Sequence, residues 1–292
     1  MILVSRFAPG LVLLGTLGLT LAGCGGGRAA EPQAASPTRS SSTPEPTPPA
    51  PVPPLATPAP AAPGLSADAI HTLLAASDRT DEDKKLDTKR HPDQFLAFLG
   101  IGPGMRVADL GSGGGYTTEL LARAVGPTGK VYAQNDPDLV KRFMDKAVTA
   151  RLARPVNAGV ERADRPFDDP LPAEATDLDL VVLYIFYHDV VWIGADRDKM
   201  NRAILAALKP GGAYVIVDAS AKAGDGVTVA KTLHRIEEST VRAEVQRAGF
   251  TLAGSGDFLR NPSDARDWNS SPKAAGERRG TEDCFVLKFR KP

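Results

Sequence analysis

Between Met105 and Glu119 the chain reads Met-Arg-Val-Ala-Asp-Leu-Gly-Ser-Gly-Gly-Gly-Tyr-Thr-Thr-Glu. A short apolar run ends in Asp109, and glycines then fall at every second position, Gly111, Gly113 and Gly115, with Ser112 between the first two. A strand that turns sharply into a helix needs residues that tolerate positive φ and leave room for a ligand against bare backbone. The helix that follows presents free N–H groups at its start. The dinucleotide pattern G-x-G-x-x-G fails in both registers, because Tyr116 and Thr118 stand where it needs a small residue. The stretch predicts a strand, a ligand-hugging loop and a helix.

Around it, strands and helices alternate. Apolar runs place strands at 105–110, 130–134, 156–161, 179–187 and 213–218, with helices near 115–125, 137–153, 196–208 and 240–248. Ser66 caps a short helix that carries Ile70, Leu73 and Leu74 on one face. Asp78 to Arg90 holds five acids and five bases and reads as a solvated segment. A helix restarts at Pro92, and Gly100 stops it. Lys209-Pro-Gly-Gly212 marks a helix-to-strand turn. Such alternation implies a parallel sheet with helices on both faces. Two final strands, Phe250–Phe258 and Asp283–Phe289, lack a long helix between them, and their connection is too long for a tight hairpin.

The first 63 residues have a different character. Arg6 precedes an apolar run, Leu11–Ala22, too short to span a membrane comfortably but suited to a signal segment. It ends in Leu21-Ala22-Gly23-Cys24, which resembles a bacterial lipobox, whose cysteine thiol takes a lipid. Residues 1–24 are therefore expected to be a lipoprotein signal peptide, and Cys24 the anchor in the cell envelope. Twelve of the chain's 25 prolines lie between Pro32 and Pro63, with almost no bulky apolar residue. Such a segment cannot offset its chain entropy by burial, so 25–63 is expected to be a disordered tether. At roughly 3.1 Å per residue it reaches up to about 100 Å. Residues 64–292 make one domain, with 32 basic and 33 acidic residues and no basic stripe that argues for nucleic acid. Beyond Cys24 the only cysteine is Cys284, which has no partner for an internal disulfide.

The pattern D-x-G-x-G-x-G resembles motif I of the class I S-adenosylmethionine (SAM) dependent methyltransferases. The order of elements over about 64–290 is similar to that family's core. The implied fold is α/β: a Rossmann-like, doubly wound, seven-stranded sheet, parallel except for the last strand. Within the family, Arg90-His91-Pro92, Tyr187-His188-Asp189, Leu233-His234-Arg235, Arg260-Asn261-Pro262 and the tail Leu287–Lys291 are similar to a group of bacterial methyltransferases of unassigned substrate.

The resemblance assigns roles residue by residue. Asp109 meets the ammonium of the SAM methionine, and Gly111, Ser112, Gly113, Gly115 and Tyr116 form the loop against the cofactor. At the end of strand two the family carries an acid for the ribose hydroxyls. Here Asn135 takes that place, with Asp136 one step beyond. An amide accepts at one oxygen only, so this departure weakens the expected contact. Asp164, after strand three, matches the side chain that bonds the adenine amino group. His188 lies beside the transferable methyl and is the candidate base, with helix capping or packing as its alternative. His71, His91 and His234 are scattered without ligand spacing, so no metal is expected. No Ser-His-Asp arrangement with nucleophile-elbow spacing occurs.

Together these readings imply a membrane-anchored SAM-dependent methyltransferase of undetermined acceptor. A rival keeps the fold as a nucleoside-binding or interaction module, since SAM is made in the cytosol and Asn135 replaces an acid. A third reading draws on Gly115-Tyr116-Thr-Thr, which is similar to a step in the isoaspartyl protein methyltransferases.

Overall fold

The computed structural model describes residues 64–292; the expected signal peptide, Cys24 and the expected tether lie outside them. Seven strands form one sheet: β1 Arg106–Leu110, β2 Lys130–Asn135, β3 Val160–Asp164, β4 Leu178–Tyr184, β5 Leu208–Ala219, β6 Thr251–Gly256 and β7 Cys284–Arg290. Their order is β3-β2-β1-β4-β5-β7-β6. β1 pairs in parallel with β2 and β4, β2 with β3, and β4 with β5, whereas β7 runs antiparallel between β5 and β6. This is the sheet that the alternation and the family resemblance predict.

Helices cover both faces: α1 Ala67–Leu74, α2 Asp81–Arg90, α3 Pro92–Leu99, α4 Tyr116–Val125, α5 Pro137–Leu139, α6 Asp145–Leu152, α7 Tyr187–Ile193, α8 Arg197–Ala207, α9 Ala230–Leu233, α10 Glu238–Arg247 and α11 Pro272–Ala275. Alternate strand residues feed two cores. Val107, Leu180, Val182, Val215 and Val286 pack with Phe95, Leu96, Leu120 and Leu121 on one face. Leu110, Val181, Leu183, Ile216 and Leu287 pack with Met200, Ile204, Val241 and Val245 on the other. With both faces covered, a strand such as β4 carries a continuous apolar run, Leu180–Tyr184, instead of an alternating one. Among the described residues no helix is long and apolar enough to cross a membrane.

Several boundaries differ from the sequence reading: β5 already runs from Leu208, so Lys209–Gly212 lies within the strand and not in a turn before it. β3 starts later, because Pro155–Asn157 forms a 3₁₀ turn first; Pro155 has no N–H to give a ladder. The expected helix over 137–153 is broken by a π turn at Val140–Met144. β4 stops at Tyr184, since Ile185 takes φ 51° and redirects the chain, so that Tyr187 opens α7. The 78–90 charge run is mostly a helix, solvated at Asp81, Glu82, Lys84, Lys85 and Lys89 as expected but buried at Arg79 and Asp83. Its Asp83 is buried against Arg151 at 2.5 Å, and Asp87 takes both Arg79 and the Tyr116 hydroxyl. Arg151 and Tyr116 come from distant elements, which a local count of charges does not reveal.

The β6–β7 connection is ordered from within. Arg235, fully buried, donates to the Ser220 and Trp268 carbonyls and to Asp264, and its guanidinium lies 4.7 Å from the Trp268 ring centre. That anchor holds residues 270–282 over the carboxyl edge of the sheet.

Candidate functional site

In an open parallel sheet, ligands bind beyond the carboxyl ends of the strands, where the order reverses. The reversal here falls between β1 and β4. A cleft of about 720 Å³ opens there, between the glycine loop, the end of α2 and the 258–284 connection. A second hollow of about 520 Å³, lined by Leu65, Leu73, Val125 and Pro127, lies away from the strand ends and is mostly apolar.

The glycine loop is held from below. Gly111 N–H donates to Gln134 Oε1 at 3.0 Å and Gly113 N–H to Asn135 Oδ1 at 2.8 Å, while Asn135 Nδ2 donates to Ser112 Oγ at 2.8 Å. Asn135 is thus engaged at both ends of its amide by the loop itself and supports it from below. Gly111 and Gly113 have φ of 61° and 55°. Phe186 presses against Gly111, where a Cβ would approach its ring to 2.7 Å. At Gly114 a Cβ would meet nothing within 4 Å, so this backbone faces open cleft. Gly115 caps α4 and abuts Arg151 rather than lining the cleft.

Asp109 lines the cleft at the end of β1, 1% exposed. Burial pushes its pKa up to about 7, against the pull of the Thr118 hydroxyl at 2.6 Å and of nearby Arg90. Arg90, placed by the sequence in the charge run, stacks its guanidinium 4.7 Å from the Tyr116 ring centre and 5.1 Å from that of Tyr184. No carboxylate bonds it among the described residues. A carboxyl and a free guanidinium thus flank one end of the cleft.

At the other end, His188 sits in the first turn of α7, 2% exposed. Asp218, wholly buried on β5, accepts from its backbone N–H at 2.8 Å and meets its Nδ1 at 2.6 Å. That partner fixes Nδ1 as the protonated nitrogen and leaves the Nε2 lone pair for the cleft. Burial lowers the ring's pKa, but the Asp218 carboxylate outweighs it and the net direction is upward. His234, set aside on sequence spacing, packs edge-on to His188 with centroids 5.3 Å apart, and Asp189 lies between the two. Ile185, a β-branched residue at positive φ, also lines the cleft, between β4 and α7. Such strain concentrates at functional sites.

Of the residues named from sequence, Asp109, Gly111, Ser112, Gly113, Tyr116 and His188 line the cleft together. Four do not. Gly115 is turned toward Arg151, and Asp136 caps α5 through the N–H groups of Asp138 and Leu139. Asp164 pairs with Arg162 at the end of β3, and Asn135 pins the loop. The sequence reading misses Asp218, Asp189, His234 and Arg90; for Asp218, an acid ending the Val215-Ile-Val run is the available signal.

Residues 88–156 match the family model for protein-L-isoaspartate(D-aspartate) O-methyltransferase. A protein-L-isoaspartate O-methyltransferase of Triticum aestivum is 34% identical over 115 residues, 39% of this chain and 46% of that one. A ubiquinone/menaquinone biosynthesis C-methyltransferase of Ectopseudomonas mendocina is 29% identical over 160 residues, 53% and 57% of the two chains. The chain thus spans about half the length of these curated relatives. Among solved structures, a SAM-dependent methyltransferase from Aquifex aeolicus superposes with a TM-score of 0.52 at 20% identity, over 73% of this chain and all of that one, a likeness of fold. A glycine loop ending β1 at the point of strand reversal and a sheet closed by an antiparallel β7 give this chain the fold of the class I methyltransferases, and its partial matches to methyltransferases imply SAM as the cofactor.

Proposed function

We propose that this chain transfers the methyl group of SAM to an acceptor that enters the cleft beside His188. The observation that carries the reading is the division of the cleft into two chemical ends. Asp109 and Arg90 match the ammonium and carboxylate of an amino acid at one end, and Asp218 aims His188 Nε2 at the other. A carboxylate–ammonium or guanidinium–carboxylate contact is charge-assisted and fixes the methionine moiety. The glycine loop lets the chain of the cofactor lie against backbone, so the methyl carbon is carried toward His188.

The reaction is an in-line displacement on a carbon already activated by its sulfonium. The acceptor's lone pair forms the new bond, the carbon–sulfur bond breaks, and its electrons return to sulfur as a neutral thioether. The protein mainly supplies orientation. For a protonated acceptor, Nε2 takes the proton and Asp218 stabilises the imidazolium. Incubation of the full-length protein with methyl-labelled SAM and cell-envelope extract tests the reading. Label on a protein, lipid or small molecule supports it; SAM binding without transfer to anything favours the module.

The isoaspartyl match favours a second reading, transfer to the carboxylate of a damaged aspartyl residue. The matched stretch, 88–156, holds the glycine loop and β2 but none of α7, β5 or α9. It therefore supports the cofactor end more than the acceptor end. An isoaspartyl carboxylate is already ionised near neutral pH and needs no base, so on this alternative His188→Gln should label an isoaspartyl peptide about as fast as wild type, and no label on the peptide from wild type would overturn it.

We further propose that Cys24 carries the chain on a membrane of the envelope. The lipobox resemblance supports it. Wild-type protein should incorporate labelled palmitate and Cys24→Ala should not; an unlabelled wild type removes the anchor.

A further inference from the structure

The acceptor end of the cleft holds more than a base. Among the described residues, His188, Asp189 and His234 each offer one donor atom, and the three lie within 4.8 Å of one another. His188 Nε2 is 3.4 Å and His234 Nδ1 3.2 Å from Asp189 Oδ1. Metal–ligand bonds of about 2.0–2.1 Å at tetrahedral angles put ligand atoms roughly 3.3 Å apart. Hydrogen bonding gives a poor account of the cluster: Asp189 Oδ1 is buried and has no hydrogen-bond partner, although two ring nitrogens sit so near. They lie out of line with it. A buried, unsatisfied carboxylate oxygen between two imidazoles is costly unless something else takes its charge.

The surroundings fit an ion. Asp218 bonds the far nitrogen of His188, the carboxylate–histidine arrangement that orients a metal-binding imidazole and raises its basicity. His234 is held at φ 50°, ψ 51°, left-handed backbone that histidine seldom adopts. The Ser270 hydroxyl donates to its carbonyl at 2.6 Å and fixes that turn against the strap. All three side chains line the cleft, so a fourth position is open to it.

We propose that His188, Asp189 and His234 form a three-ligand site for a divalent transition-metal ion of the zinc class, which holds the methyl acceptor through an anionic oxygen or sulfur. The ion's role toward an acceptor rests on the methyl-transfer reading above; the ion's binding does not. Two imidazoles and one carboxylate suit zinc, and three protein ligands leave the open position of a catalytic rather than a structural site. A hydroxyl or thiol taking that position loses its proton to water, because the dication stabilises the anion. Its lone pair then bonds the methyl carbon, the carbon–sulfonium bond breaks, and that electron pair stays on the sulfur. In the loaded form the ion, instead of Nε2, provides the deprotonation.

The full-length protein, stripped with a chelator and desalted, is titrated with zinc chloride by calorimetry and with cobalt(II) by visible absorption. The expected result is one equivalent of zinc and an intense tetrahedral cobalt band that shifts on addition of azide. Asp189→Asn should weaken zinc binding by about tenfold or more. His234→Asn, which suits the left-handed backbone, should do the same, and Asp218→Asn should cost about 10–100-fold. Circular dichroism checks that each variant folds. Equal zinc affinity in wild type, Asp189→Asn and His234→Asn, or a weak octahedral cobalt spectrum, overturns the site. SAM titrated into the stripped protein separates the two claims. Zinc bound without SAM overturns the methyl-transfer reading and leaves the metal site standing; SAM bound without zinc does the reverse.

Discussion

The wall of the cleft formed by residues 109–116 is mostly backbone. Gly113 and Gly114 leave open space beside the chain, and amides from the end of β2 pin Gly111 and Gly113 from below. The facing wall is made of side chains that meet from far apart in sequence: His188 and Asp189 from α7 and His234 at the end of α9, with Asp218 from β5 behind His188. A backbone wall accepts one fixed ligand shape wherever the glycines recur, so it suits a cofactor shared among many chains. A side-chain wall is rebuilt by single substitutions, so it is where an acceptor is chosen. The matched family stretch, 88–156, covers the first wall and stops before the second.

The largest effect that would sharpen this contrast is on turnover. His188→Gln should lower methyl transfer by about 10²–10⁴-fold, the usual worth of a positioned base, with SAM affinity nearly unchanged. Transfer rates and SAM calorimetry on the same preparation check it. If both fall together, the two walls are not independent.

A side chain on the backbone wall should do the opposite. Gly114 is the cleaner probe than Gly113, whose φ of 55° would strain any substitute. Gly114→Val meets no protein atom within 4 Å at its Cβ, so the domain should fold with near-normal stability and lose SAM binding. Thermal unfolding and calorimetry read the two quantities separately.

Arg90→Met keeps an apolar stem between Tyr116 and Tyr184 but removes the charge. Losing a charge-assisted bond worth about 1.5–3 kcal/mol should weaken SAM by roughly 10–100-fold. An unchanged dissociation constant would move the cofactor carboxylate elsewhere.

The smallest effect is a proton count. Burial keeps Asp109 protonated up to about pH 7 in the folded chain, against an ordinary value of 3.8. The unfolded chain gives that proton up first, so this group's stability contribution is full below pH 3.8 and is lost as pH rises through 7. An ammonium bound beside Asp109 favours the ionised form and reverses the preference. At about pH 6, SAM binding should therefore release roughly one proton, measured as calorimetric heat that varies with the ionisation enthalpy of the buffer. Asp109→Asn should abolish the release, and its persistence in that variant would assign the proton to another group.

What is legible in the sequence follows the same division. The sheet and the glycine loop are readable because apolar periodicity and contiguous glycines state them locally. Asp109 and Tyr116 come with the loop. Resemblance places Asn135, Asp136 and Asp164 at the end of β2, just beyond it and at the end of β3, but their side chains pin the loop, cap α5 and pair with Arg162. Position along a strand fixes where a residue stands and leaves its hydrogen bonds open. Arg90 is hidden in a charge run whose Asp83 finds Arg151, from α6, only after folding. The cluster of His188, Asp189 and His234 is invisible for the same reason. The first two stand on α7 and the third just after α9, with α8 and β5 between them in the chain, and no ligand-spacing rule reaches across those elements.

The measurement that tests the account most directly is SAM binding by calorimetry to three forms of the full-length chain: wild type, Gly114→Val and His188→Gln. Wild type and His188→Gln should bind with similar affinity and Gly114→Val should not bind. Failure of wild type to bind SAM, or equal binding by all three, would contradict a cofactor seated on the glycine loop.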